Sequence, residues 1–205
     1  MVSKSEGMGE PYKILSEFLE LKKSLRQPPK RRSNSRLVGK LFTTLLFRRI
    51  EEYVPKQYSL VQQEMWIRGL EWIEWDGAIV LKPFVDKSLP VVNPSEVVAL
   101  FEVKVRGIYG GKEVCKRSLR RIRENFQTAV DKCGSNLHCI YVTLQERTPK
   151  DERSVKYKCL TEEILEPVCL PIMLFRSPLE NKPVVEAIPY PGQWERLIEE
   201  VSQLR

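Results

Sequence analysis

Ala99-Leu100-Phe101-Glu102-Val103-Lys104-Val105 decides the fold, together with the residues directly after it: Gly107, Gly110 and Gly111, then the segment Lys112 to Cys133. The first part reads as an apolar strand interrupted by two charges. Beyond the glycines the period changes: Leu119, Ile122, Phe126 and Val130 recur at helical spacing and make one apolar stripe, with the basic residues largely off it. Leu137 to Leu144 is again a continuous apolar run of strand length. A strand, a crossover helix and a further strand predict a sheet with helices packed on it.

Within the strand, alternation puts Glu102 and Lys104 on the same face. Burying a carboxylate and an ammonium is costly unless they pair or bind something. A metal ion would satisfy the first, and an anionic substrate the second. Glu-x-Lys occurs three times in the chain, at Glu20, Glu102 and Glu180, but the first lies in a helical stretch and the third in a proline-flanked loop. Context therefore selects the second.

Upstream, the chain is rich in strand-forming residues from Tyr58 to Gln62 and from Met65 to Lys82. Alternation along a strand Trp72–Lys82 would align Trp72, Glu74, Asp76, Ala78 and Val80 on one face. Asp76, one of only four aspartates, opens the run Gly77 to Leu81. If this strand neighbours Val97–Val105, Asp76 and Glu102 converge on one hard cation; if Asp76-Gly77 is instead a type I′ turn, they do not. Trp66, Trp72 and Trp75 are candidates for base stacking, with core packing expected for at least two of them. Glu64 and Glu71 read as flanking residues, and Glu74 as solvated or as an extra ligand.

The remaining chain adds helices at 11–26 and at Arg36 to Tyr53, stopped by Pro55, and a last one carrying Trp194, Leu197, Ile198 and Val201. Short apolar runs lie at Pro171 to Phe175 and Val184 to Ile188. Residues 1–35 read as an N-terminal helix plus basic linker, and 36–205 as the main domain. The 205 residues carry a net charge of +7, and no acid occurs from Leu21 to Ile50. That stretch and the basic helix Lys112–Cys133 are the footprint expected for a polyanion. The five cysteines form no CxxC pair and His138 is the only histidine, so a zinc site of the usual ligand spacings is not expected, and two-histidine phosphodiesterase chemistry and multi-histidine metal centres lack their residues. No phosphate-binding glycine loop is present. With no apolar leader or span, an intracellular, cytoplasmic location is the expectation.

Asp76 followed by Glu102-x-Lys104 on the next apolar strand resembles the signature of the PD-(D/E)XK nucleases, although Trp75 stands where the proline of that name would be. The likeness covers roughly residues 36–144 and implies an α/β fold: a mixed central sheet flanked by helices, with a restriction-endonuclease-like core. It further implies Asp76, Glu102 and the Val103 carbonyl as ligands of Mg2+ or Mn2+, and Lys104 as the catalytic lysine. Glu51 or Glu52 would be the auxiliary carboxylate and Gln127 the glutamine of the following helix. Arg36, Lys40, Arg117, Arg120 and Arg121 are the expected phosphate contacts. The expected function is a metal-dependent nuclease hydrolysing phosphodiester bonds, on DNA ahead of RNA, with no membrane and with room for a homodimer. The rivals are a non-catalytic nucleic-acid binder of the same fold and a basic scaffold for an acidic protein.

Overall fold

The computed structural model describes residues 9–24, 35–82, 91–106, 112–145, 161–176 and 187–204. The elements run α1 (Glu10–Ser24), α2 (Ser35–Ile50), a 3-10 turn Glu51–Tyr53, β1 (Tyr58–Val61), β2 (Trp66–Ile67), β3 (Gly77–Leu81), β4 (Val91–Val92), a 3-10 turn Pro94–Glu96, β5 (Val97–Arg106), α3 (Lys112–Cys133), β6 (His138–Gln145), β7 (Leu170–Arg176), β8 (Ile188–Pro189) and α4 (Gln193–Ser202). Six strands form one sheet in the order β1-β3-β5-β6-β7-β8, and β2 pairs with β4 separately. β3 runs antiparallel to both of its neighbours, β1 and β5; β5, β6 and β7 are parallel, and β8 returns antiparallel to β7. The sheet is therefore mixed, as the sequence predicts, and α3 is the crossover that a parallel β5–β6 pair requires.

Each face of the sheet carries its own core. On one side α1, α2 and α4 bring Phe18, Phe42, Phe47, Trp194 and Leu197 against Ile79, Phe101 and Val103. On the other, α3 sets Leu119, Phe126 and Ala129 against Ala78, Val80, Leu100 and Tyr141. The apolar stripe predicted for α3 thus faces the sheet. β5 is buried on both sides, which is why its sequence is a nearly continuous apolar run.

One predicted strand is shorter than expected. Only Gly77–Leu81 pairs in the Trp72–Lys82 segment. Before it the chain makes turns, with Leu70 and Ile73 donating to the Ile67 and Leu70 carbonyls and an isolated bridge joining Met65 to Trp75. The alternating burial of residues 72–75 is real, but it arises without a partner strand. The parity also breaks: Ile73, Trp75, Ala78 and Val80 all enter the α3-side core, so the chain turns over at Asp76-Gly77. Gly77 does not form the type I′ turn, since the positive-φ glycines among the described residues are Gly69, Gly134 and Gly192. It is glycine because a Cβ there would lie 2.2 Å from the Phe47 ring and 2.7 Å from the Val61 carbonyl oxygen. This close approach seats α2 on the β3 end of the sheet.

Candidate active site

The site forms where β3 stops and β5 continues. Their last paired residues are Gly77 and Phe101, whereas β5 stays paired with β6 as far as Arg106. Residues 102–106 therefore lack a strand neighbour on the β3 side. Asp76 closes the ladder from both directions. Its backbone N–H donates to the Phe101 carbonyl at 3.2 Å, and its Oδ2 accepts the Val103 N–H at 2.7 Å. One residue beyond the last pair, Asp76 stands beside Glu102 and on its side of the sheet.

Lys104 joins the two acids. Its Nζ lies 2.5 Å from Glu102 Oε1 and 3.7 Å from Asp76 Oδ2. The side chains are partly shielded, with Glu102 the most enclosed at 17% exposure. Burial pushes the Glu102 carboxyl above its ordinary range; Lys104 pulls it back and Asp76 pushes it up further. Burial alone would lower Lys104, but the Glu102 and Asp76 carboxylates outweigh it and hold the ammonium above its usual value. The cluster is two acids sharing one cation in a desolvated place, the setting in which perturbed groups mark function.

A cleft of about 470 Å3 opens here, lined by Asp76, Glu74, Val103, Lys104 and Val105 from the strands, by Gln62 to Glu64 from the β1–β2 connection, and by Arg36, Gly39, Lys40 and Thr43 from α2. The two basic residues that α2 brings to it are bound by Glu64, whose carboxylate lies 2.9 Å from Arg36 Nη2 and 3.1 Å from Lys40 Nζ. Burial would raise Glu64, yet hydrogen bonds from Lys40 and Arg36 hold its carboxyl below the ordinary range. Sequence reasoning makes Glu64 a flanking residue. Its place at the cleft has no local signal, because it depends on α2 crossing the β1–β2 connection.

The expected site residues thus divide. Asp76, Glu102, Val103 and Lys104 come together; Asp76, Val103 and Lys104 line the cleft where Arg36 and Lys40 stand, and Glu102 sits beside it, outside the lining. Glu51 and Glu52 do not join them: both are exposed on the turn after α2, and Glu51 accepts a hydrogen bond from Gln62 at 2.8 Å. Gln127 also stays away, exposed on α3 with its amide donating to Asp131 at 2.9 Å. Arg117, Arg120 and Arg121 are exposed on α3, on the sheet face opposite α2 and outside the cleft lining. Of the tryptophans, Trp75 is in the core against Phe126, Trp66 is half-buried, and Trp72 is 74% exposed. His138 begins β6, and its Nδ1 lies 2.6 Å from Glu200 Oε1. Among the described cysteines, Cys115, Cys133, Cys139 and Cys169 are in no disulfide, and burial pushes Cys169 up to about 12.

Asp76, Glu102 and the Val103 carbonyl are hard oxygen donors of the kind Mg2+ takes. The two carboxylates already gather one cation, the Lys104 ammonium, so the donor set suits a positive charge. Among the described residues no group of three or more metal-ligating side chains occurs, so water would have to complete any coordination.

No family model matches the chain, and no curated protein does. Solved structures do. NucC from P. aeruginosa ATCC27853, in its cAAA-bound form, superposes with a TM-score of 0.55 at 10% identity, covering 96% of this chain and 93% of that one. NucC from E. coli MS115-1, cAAA-bound, gives 0.56 at 11% identity over 98% and 94%. Its apo form gives 0.52 at 12% identity over 97% and 93%. At such identity the likeness is one of fold, and the chain adopts the α/β fold of these NucC structures along nearly its whole length.

Proposed function

We propose that the protein is a metal-dependent nuclease that hydrolyses phosphodiester bonds in DNA, with its chemistry at the Asp76–Glu102–Lys104 cleft. One observation carries the reading: Glu102 and Lys104 of β5 and Asp76, just ahead of β3, converge where the β3–β5 ladder stops, partly desolvated and beside a cleft with basic residues on its rim. Asp76, Glu102 and the Val103 carbonyl would hold Mg2+ or Mn2+, which when bound supplies a more acidic water and charge stabilisation at phosphorus. Lys104 sits where its ammonium can neutralise charge developing on the scissile phosphate. Arg36 and Lys40 approach the strand backbone from α2. The NucC fold and the +7 net charge support a nucleic-acid substrate. The cAAA-bound forms of NucC bear on this chain only as a reason to include a cyclic oligonucleotide in any activity screen.

The deciding experiment is a cleavage panel of duplex, single-stranded, flapped and four-way DNA with Mg2+, Mn2+ or EDTA, using wild type and Glu102→Ala. Metal-dependent cutting by wild type alone is expected. Equal cutting by Glu102→Ala, with purity controlled, ends this reading. A non-catalytic binder of the same fold is the second reading, favoured by the absence, among the described residues, of a group of three ligating side chains that could hold one metal ion, even with Glu74 in the same cleft lining. Binding without cleavage of any panel substrate would select it.

A further inference from the structure

We propose that Glu64 is an internal placeholder for a substrate phosphate: in the free protein its carboxylate occupies the seat between Arg36 and Lys40 that a backbone phosphate takes in the nucleic-acid complex. The identity of the displacing polyanion rests on the nuclease reading; the seat itself rests on geometry.

Arg36 and Lys40 are four residues apart on α2, so they project side by side. Glu64 meets them with one oxygen each, Oε2 on the guanidinium and Oε1 on the ammonium. Two anionic oxygens divided between an Arg and a Lys are the arrangement that two non-bridging phosphate oxygens would adopt there. The carboxylate is held in place by its backbone: the next residue, Met65, exchanges N–H···O bonds of 3.0 Å with Trp75 in both directions. Both cations keep most of their side-chain surface in solvent, 70% for Arg36 and 55% for Lys40, whereas Glu64 keeps 22%. An approaching strand therefore reaches the cations first and competes with Glu64 for them. Lys104 and Asp76 line the same cleft, so a phosphate seated there lies along the backbone from the reacting centre. Glu64 then sets affinity and selectivity: a polyanion strong enough to replace it is admitted, and a weak anion is not.

Equilibrium binding of a labelled duplex in EDTA, measured across a salt series, tests this without cleavage. Glu64→Gln keeps the shape and removes the charge. It should bind about three- to tenfold tighter at low salt, with log K against log salt steeper by up to about 0.9 for one more phosphate neutralised. In an Arg36→Ala/Lys40→Ala background the same change should do nothing, because the seat is gone. Weaker or unchanged binding by Glu64→Gln overturns the proposal, as does equal tightening without Arg36 and Lys40. If Glu64→Gln fails to fold, Glu64→Asp, which withdraws the carboxylate by one methylene, must tighten binding in the same direction, and its failure is equally decisive. Wild-type binding with no Glu64 effect sinks the placeholder and leaves the nuclease reading standing. No wild-type binding and no cleavage sinks both.

Discussion

The two ends of the parallel strands offer a contrast. At the starts of β6 and β7 lies the larger cleft, about 830 Å3, lined among others by His138, Glu166, Arg196 and Glu200. Beside the C-terminal half of β5 lies the smaller one, about 470 Å3. In the larger cleft the charges pair one to one, His138 with Glu200 and Arg196 with Glu166. His138 and Glu200 are each one-third exposed, and the hydrogen bond from His138 holds the Glu200 carboxyl low. Beside the smaller, Glu102 is enclosed and pushed up, and one lysine serves two acids. Size follows from where strands begin and helices leave gaps. Reactivity follows from charges held where water cannot relax them, so the smaller cleft is the better candidate.

The sharpest way to break that contrast is mutation at both ends. Asp76→Ala and Glu102→Ala should each lower Mg2+-supported cleavage by at least about 100-fold, and Lys104→Ala by a similar factor. The lysine variant should retain metal binding, read by calorimetry, while the acid variants lose it. Cleavage that survives Asp76→Ala would move the chemistry elsewhere.

Next in size is a purely structural effect at the same end. Gly77→Ala would drive a methyl into the Phe47 ring and the Val61 carbonyl. It should cost about 1–3 kcal/mol, visible as a lower Tm, whereas Gly134→Ala meets no neighbouring atom within 4 Å and bears only the strain of its positive φ. Equal melting of wild type and Gly77→Ala would show that α2 does not seat there as described.

The pH profile sharpens the electrostatic half of the contrast. Folding favours the protonated form of Glu102, so its contribution to stability is full below the ordinary carboxylate value of 4.5 and is lost as pH rises through the raised folded value. Cation binding has the opposite sign, because only the ionised carboxylate is a ligand. At metal concentrations well below saturation, where the metal does not displace the proton, metal-supported cleavage should therefore fall on the acid side with a midpoint above 4.5. A midpoint at or below it would mean that Glu102 is not the titrating ligand.

The smallest effects belong outside the smaller cleft. Arg120→Ala/Arg121→Ala should flatten log K against log salt by about 0.9 for each duplex phosphate that α3 no longer neutralises; an unchanged slope would remove α3 from the nucleic-acid surface. His138→Ala should leave cleavage intact and cost about 0–1 kcal/mol, as expected for a solvated pair, and a large loss of activity would reverse the ranking of the two clefts.

Much of the molecule is legible in the chain itself. α3 and β5 follow from local periodicity, which depends only on 3.6 or 2 residues per repeat. The same reading makes Glu102 and Lys104 neighbours on one face and singles out Asp76. Tertiary structure decides the rest. Trp72 to Trp75 alternate like a strand yet pair with no strand, because alternation reports burial and not hydrogen bonding. Asp76 reaches Glu102 through a bend and a ladder that ends at Phe101, not by the predicted parity along a long strand. Glu51, Glu52 and Gln127 match a pattern in sequence but are not among the cleft's lining residues, where Glu64 stands instead. Which side chains meet across a cleft is fixed by register and by the crossing of elements far apart in the chain. Both are set by burial of the two cores as a whole, and no window of sequence encodes them.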